Sequence, residues 1–234
     1  MIRTGLIWSI IFIAIMAAIV LWTIPNLPDQ ELFPVHWGID GTPDRYVDRQ
    51  GAIRNLWILP ALSSFVALIL AIAPIIDPRK KNILKARDFY LLIWISTMVL
   101  MTIITLGISF AMRGIGGEEF VNDQFVRLVI GAISLLFIVI GNFLPKTRPS
   151  FSFGIRTPWT LSSNTTWEKT HRLGGRLFML AGLIGAVSAF FLGGIWLALT
   201  LPAMVGTIAI VTFAYSWLTW RKADDKIGQT NYVE

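Results

Sequence analysis

The chain alternates long uncharged apolar stretches with short polar segments. Six stretches lack Asp, Glu, Lys, Arg and His, and they cover residues 5–24, 55–76, 89–112, 128–144, 177–194 and 196–220. Each is long enough to cross a hydrocarbon core of about 30 Å as a helix. The pattern predicts an all-α, polytopic membrane protein with six transmembrane helices.

The polar segments divide this layout into two halves of three helices. Residues 1–112 form an N-terminal half with a long loop at 25–54, and residues 113–234 form a C-terminal half with a long loop at 145–176. Three spans per half give the halves opposite orientations, which allows a 3+3 inverted repeat. A short sequence similarity between residues 38–43 and 154–158 agrees with such a repeat. A transporter of small molecules or lipids is therefore one interpretation of the chain.

Composition excludes the soluble classes of protein. Hydrophobic residues make up 55% of the chain, charged residues 15%, and the mean hydropathy is +0.66. The absence of cysteine removes disulfides, thiolate ligands and cysteine nucleophiles. The two histidines, His36 and His171, fall on opposite predicted faces and cannot share a metal. We expect no metal and no cofactor.

The charges predict the orientation. Fifteen of the 20 Lys and Arg residues fall on the side of the chain termini and five on the other side. The positive-inside rule then places both termini in the cytoplasm of a multi-pass protein of the cell membrane. Basic loops facing anionic lipid explain the pI of about 9.9 without direct nucleic-acid binding.

The predicted spans themselves carry little chemistry. Proton relays and ion pathways normally use intramembrane charges, so their absence argues against an ion-coupled transporter. In the fifth span, small residues recur at every fourth position, at Ala181, Gly185, Ala189 and Gly193. Such a stripe predicts close packing with another helix, either of the same bundle or of a homodimer.

The loop at 25–54 is punctuated by Pro34, Gly38, Gly41 and Pro43, which predicts a tight turn structure. Its aspartates could gather a hard cation together with His36, but their spacing does not match an EF-hand loop. The alternative is that they cap turns and pair with neighbouring arginines.

The loop at 145–176 mixes aromatic and basic residues. That mixture predicts a segment lying among lipid headgroups with its aromatic rings directed into the membrane. Thr165 and Glu168 fit a capping box, so a helix should begin near residue 166. The anion-site candidates in this loop are Arg148, Arg156, Arg172 and His171. Alternatively, His171 could act as acid or base in a lipid-headgroup enzyme. No nucleophile–base–orienter trio is apparent, and we assign no catalytic residue.

Four short motifs in these loops resemble the SdpI immunity-protein family. They are Gly-Asn-x-x-Pro-Lys-x-Arg-Pro at 141–149, Gly-Ile-Arg-Thr-Pro-Trp-Thr-Leu at 154–161, Trp-x-x-Thr-His-Arg-x-x-Gly at 167–175 and Pro-x-His-Trp-Gly-x-x-Gly-x-Pro-Asp at 34–44. The last resembles the domain of unknown function that usually precedes the family's own domain. The resemblance implies an integral membrane protein, not an enzyme, that gives immunity to a secreted, membrane-active peptide toxin. It also implies signalling, in which a cytoplasmic transcriptional repressor is held at the membrane.

By this resemblance the candidate binding residues fall in two sets. The loop expected outside the cell contributes His36, Trp37, Gly38, Asp40, Gly41, Pro43 and Asp44. The loop expected in the cytoplasm contributes Asn142, Pro145, Lys146, Arg148, Gly154, Arg156, Thr157, Pro158, Trp159, Thr160, Trp167, Thr170, His171 and Arg172.

Overall fold

The computed structural model describes residues 1–227 and confirms the six-helix membrane architecture. The six helices that are long and apolar enough to cross a membrane are α1 (Ile2–Thr23), α3 (Ile58–Ile76), α5 (Arg87–Met112), α7 (Phe125–Phe143), α9 (Asn164–Phe191) and α10 (Gly194–Arg221). The shorter elements are β1 (Phe33–Trp37), β2 (Pro43–Val47), α2 (Arg49–Leu56), α4 (Lys80–Lys85), α6 (Gly117–Glu119) and α8 (Pro158–Ser162). Single 3-10 turns extend α1 and α7 at Ile24–Asn26 and Leu144–Lys146, and a π-helical turn at Phe120–Gln124 leads into α7.

The connections between the membrane helices form two faces. We call one the hairpin face, comprising residues 27–57, 113–124 and 192–193, because it carries the β1–β2 hairpin. The other is the basic face, comprising Met1 and residues 77–86, 147–163 and 222–227. The polar first turns of α9 also lie at the basic face, since α9 is longer than a membrane crossing needs.

In the first half, α1 packs between α3 and α5. Its close approach to α5 depends on Gly5, where a β-carbon would lie 2.6 Å from the ring of Trp94. The indole N–H of Trp94 donates to the Ser9 hydroxyl at 2.8 Å, so the buried polar atom is satisfied within the membrane. Nearer the hairpin face, the hydroxyls of Thr23 and Ser109 form a second bond between the same helices.

In the second half, α9 packs along α7 through small residues. A β-carbon on Gly182 would lie 2.5 Å from the carbonyl oxygen of Ser134, and one on Gly175 would lie 2.6 Å from that of Gly141. Ala181, Gly185 and Ala189 of the predicted stripe are buried here as well. The stripe therefore serves packing within the bundle, while the homodimer stays a prediction.

Two local predictions were wrong, and a third was incomplete. The helix near residue 166 exists, but Ser163 caps it by accepting the Thr166 N–H at 3.0 Å, so Thr165 and Glu168 do not form the cap. Arg127, placed outside the fourth span, lies in the first turn of α7. The loop at 25–54 has the predicted tight turn, but the turn joins two strands of an antiparallel hairpin that was not predicted, since a proline in each five-residue strand argues against strand structure.

Candidate functional site: the hairpin and the motif loop

The tip of the hairpin is a tightly bonded turn. Gly41 adopts a φ of +85°, and its N–H donates to the carbonyl of Gly38 at 3.0 Å. The Asp40 carboxylate accepts the N–H of Thr42 at 3.0 Å and the Thr42 hydroxyl at 2.8 Å. These bonds hold the pKa of the exposed Asp40 carboxyl below its usual value, because they stabilise its charged form.

The flank of the hairpin presents a histidine and a carboxylate to solvent. Nδ1 of His36 lies 2.5 Å from Oδ1 of Asp44, across the two strands, and about half of each side chain is exposed. No group of three or more metal-ligating side chains occurs among the described residues. His36 and Asp44 therefore form an exposed polar pair on the flank of the hairpin.

Trp37 connects the hairpin to the second half of the protein. Its indole N–H donates to the carbonyl of Val121 at 2.6 Å, and its ring lies 4.5 Å from that of Phe125, at the start of α7. On the other side, Phe33 is fully buried in a cluster with residues of α1, α2 and α5. The hairpin thus bridges both halves and leaves Asp40 and Thr42 exposed at its tip.

On the basic face, residues 147–157 form the motif loop, which Asp77 holds in place. One carboxylate oxygen of Asp77 accepts the N–H groups of Phe151 at 2.9 Å and Ser152 at 2.7 Å, together with the Ser152 hydroxyl at 2.6 Å. The other oxygen accepts the N–H of Arg79 at 2.7 Å. Burial raises the pKa of Asp77, but these four hydrogen bonds outweigh it and leave the pKa below its usual value.

His171 fixes the other end of the motif loop. Its Nε2 accepts the N–H of Ile155 at 2.9 Å, while its Nδ1 donates to the carbonyl of Trp167 at 2.8 Å. The ring is fully buried and stacks on Trp167 at 3.8 Å. Gly154 closes over both rings with a φ of +106°, where a β-carbon would lie 2.6 Å from Nε2 of His171. With both nitrogens bonded to the backbone, the ring is neutral and serves the loop's conformation.

The following helix, α8, is bonded to α10. Thr157 and Thr160 form a reciprocal capping box at its N-terminus, and the Thr157 hydroxyl donates to the Ser216 hydroxyl at 3.1 Å. The ring of Trp159 packs edge-on against Phe213 at 4.9 Å. These contacts make the motif loop and α8 one rigid platform on the ends of α9 and α10.

The end of the described chain closes over this platform. Asp225 accepts the Ser163 hydroxyl at 2.5 Å and the Thr165 N–H at 2.9 Å. Burial raises the pKa of Asp225, but these bonds outweigh it and lower the pKa overall.

Beside the platform lies a polar pocket of about 520 Å³ with a net positive lining. Lys146, Arg148 and Arg172 contribute the cations, and Glu168 contributes the one carboxylate. Arg156 lies elsewhere, since its guanidinium donates to the carbonyl of Phe151. Of the four residues considered for an anion site, the structure therefore brings together only Arg148 and Arg172.

The expected lipid-facing aromatic rings are mostly inside the protein. Phe153 packs against Phe89 and Tyr90, with ring centroids 6.2 and 5.7 Å apart, and Trp167 is fully buried. Among Phe151, Phe153, Trp159 and Trp167, Phe151 is the most exposed, at 43%, and its ring lies 5.2 Å from the guanidinium of Arg79. The motif loop is therefore a folded part of the protein and not a segment spread among headgroups.

The candidate residues separate by exposure. Exposed ones are His36, Asp40, Asp44, Asn142, Pro145, Lys146, Arg148, Arg156, Pro158 and Arg172. Half-buried ones are Trp37, Gly38, Pro43, Gly154 and Trp159, and buried ones are Gly41, Thr157, Thr160, Trp167, Thr170 and His171. The buried set builds the two loops, so a partner would contact the exposed set.

Sequence reasoning missed the two carboxylates that hold the basic face together. Asp77 binds a loop 74 and 75 positions away, and Asp225 binds residues 60 and 62 positions away. Each carboxylate sits just beyond the end of a membrane helix, among lysines and arginines. The signal in the sequence that could have pointed to these two carboxylates is the position of each acidic residue within a strongly basic loop.

Comparison with known proteins confirms the resemblance carried by the two loops. Residues 146–216 match the SdpI/YfhL protein family, and residues 11–63 match a domain of unknown function, DUF1648. The first match contains the platform and the second contains the hairpin. The chain is also 25% identical to the immunity protein SdpI of Bacillus subtilis strain 168 over 206 residues, which is 88% of this chain and 90% of that protein. No solved structure matches the chain.

Proposed function

We propose that this chain, a multi-pass membrane protein similar to the SdpI/YfhL family, is an immunity protein that protects its cell against a secreted, membrane-active peptide. In this proposal the basic face is cytoplasmic and the hairpin face is outside, as the distribution of Lys and Arg favours. The hairpin then meets the peptide before it reaches the bilayer.

The docked hairpin is the observation that carries the proposal. It is anchored at its base by Phe33 and Trp37, and it exposes Ile39, Asp40 and Thr42 at its tip together with the His36–Asp44 pair. Such a surface is already ordered before a partner binds, so binding loses less conformational entropy. A connecting loop would not need this degree of order.

The platform on the basic face suits the second part of the proposal, which is signalling to a cytoplasmic transcriptional repressor. Its rigid framework presents the exposed cations Lys146, Arg148 and Arg172 around one pocket. Trp37 contacts the start of α7, and α7 ends beside that pocket. A peptide bound at the hairpin is thus one helix away from the repressor-binding surface.

Catalysis and transport have less support. Both nitrogens of His171 bond to the backbone, which leaves neither available to act on a substrate. In the first half α1 packs against both other membrane helices, and in the second half α9 does so. An inverted repeat would make α9 the counterpart of α3, not of α1, so the two halves do not pack in the same way. The inverted repeat stays a prediction that this packing does not favour.

Expression in a peptide-sensitive bacterium tests the proposal. The probe is the secreted peptide to which the best-known member of the family gives immunity. We expect survival with the intact chain, lower survival with Trp37→Ala, which undocks the hairpin, and full survival with the exposed control Gln50→Ala. Unchanged killing, with the protein demonstrably in the membrane, would reject immunity to that peptide.

A further inference from the structure

A long apolar groove opens on the side of the bundle where the two halves meet. It has a volume of about 860 Å³ and lies between α5 of the first half and α7 and α9 of the second. Its walls include Ile95, Val99, Ile103, Leu128, Leu135 and Phe190.

The groove is polar at one end only. Gln124 and Arg127 line it where it reaches the hairpin face, and apart from Ser96 the other described lining residues are apolar or glycine. The Arg127 guanidinium bonds through Nε to the Asp123 carboxylate and through Nη1 to the carbonyl of Ala189 at 2.9 Å. These two bonds hold the cation at the mouth of the groove and join α7 to α9.

The dimensions of the groove match one leaflet of a bilayer. From Arg127 to Val139 it follows thirteen residues of α7, and the twelve steps between them rise about 18 Å at 1.5 Å per residue. Half of a hydrocarbon core of about 30 Å is close to that length. Asp123 balances the charge of Arg127, so the polar end of the groove offers N–H donors and no net charge. An apolar groove of this length with donors at its interfacial end is complementary to a molecule that has a long hydrocarbon chain and a phosphate head.

We propose that the groove binds one phospholipid, with an acyl chain between the two halves and its phosphate at Arg127 and Gln124. A guanidinium has five N–H donors, so the two bonds above leave donors that can reach a phosphate, and the Gln124 amide adds two more. α5 and α7 touch at Gly107, against Phe125 and Leu128, and at the stacked rings of Phe89 and Phe143. The bound chain adds dispersion contacts where the groove separates the two helices. The lipid thereby becomes part of the packing between the halves.

Gly131 allows a test that leaves the protein's own packing intact. It lines the groove, and a β-carbon built on it meets nothing within 4 Å. Gly131→Leu therefore places an apolar side chain in the groove at a position where the added β-carbon meets no other residue. Gly206 on α10 is equally open and lies away from the groove, so Gly206→Leu is the matched control.

The measurement is native mass spectrometry of the protein purified in mild detergent, together with its melting temperature as palmitoyl-oleoyl phosphatidylglycerol is added. We expect the wild type and Gly206→Leu to retain the lipid and to melt higher as it is added, since a ligand of the folded state stabilises it. Gly131→Leu should bind the lipid about ten-fold more weakly and lose that rise. Palmitoyl-oleoyl glycerol, which lacks the phosphate, should bind the wild type about ten-fold more weakly.

Four results would overturn the proposal. The first is equal lipid retention by the wild type and Gly131→Leu, and the second is equal affinity for the lipids with and without phosphate. The third is conversion of a wild-type dimer to a monomer by Gly131→Leu, which would assign the groove to a second copy. The fourth is loss of peptide protection by Gly131→Leu with lipid binding unchanged, which would assign it to the peptide.

Discussion

At the scale of single residues, the motifs specify a backbone conformation more than a contact surface. Gly154, His171 and Trp167 lie together because the loop must turn with a φ of +106° directly over two stacked rings. Only glycine combines that backbone angle with the missing side chain. The motif residues are thus explained by packing before any partner is considered.

Gly154→Ala should therefore destabilise the protein by about 2 kcal/mol or more, because backbone strain and a collision with His171 add together. Thermal unfolding in detergent measures this as a lower melting temperature. Gly114→Ala is the control, since Gly114 also has a positive φ, +67°, but has open space around it. An equal loss in the two variants would show that strain alone acts and that the contact with His171 is unimportant.

At the scale of elements, hydropathy located all six membrane helices but placed the start of the fifth 13 residues too late, at 177 instead of Asn164. The missing turns carry polar residues that are buried against protein, such as Thr166, Thr170 and His171. A hydropathy pattern reports what faces lipid and cannot recognise polar residues buried by a folded loop. The partners of Asp77 in that loop were equally hidden, because they come within hydrogen-bond distance only after folding.

The docking of the motif loop should depend on the charge of Asp77. Asp77→Asn keeps one acceptor oxygen but loses the charge that strengthens four hydrogen bonds, at a cost of about 2 kcal/mol. We expect faster tryptic cleavage after the exposed Arg156, measured by mass spectrometry. Asp88→Asn is the control, because Asp88 is 88% exposed and pairs only with Arg87 among the described residues. Equal cleavage in both variants would contradict the role of Asp77.

The same carboxylate makes the loop sensitive to acid. The pKa of Asp77 in the folded protein is below the ordinary value of 3.8, so its stabilisation is complete above pH 3.8 and disappears as the pH falls through the lowered pKa. The difference in melting temperature between the wild type and Asp77→Asn should thus be constant from pH 7 to about pH 5. This difference in melting temperature should become smaller below pH 3.8, because Asp77 is then protonated and, like asparagine, carries no charge. A difference that shrinks near neutral pH would contradict this assignment.

At the scale of the whole molecule, the two halves are joined by elements that come from their loops and not only by helix packing. The hairpin crosses from the first half to α7 through Trp37, and the motif loop of the second half binds Asp77 of the first. Sequence alone placed these loops on opposite faces by counting charges. It could not show that each loop docks on the other half, because such contacts join residues far apart in the chain.

The orientation of the two faces can be tested directly because the chain contains no cysteine. Gln50→Cys places one thiol at an exposed position on the hairpin face, and Lys169→Cys places one in an exposed polar turn of α9 at the basic face. In intact cells, a membrane-impermeant maleimide should label Gln50→Cys and spare Lys169→Cys, while both should react after the cells are opened. The unmodified chain provides the blank. The reverse labelling would put the hairpin in the cytoplasm, where it could not meet a secreted peptide, and would remove the basis of the proposed immunity.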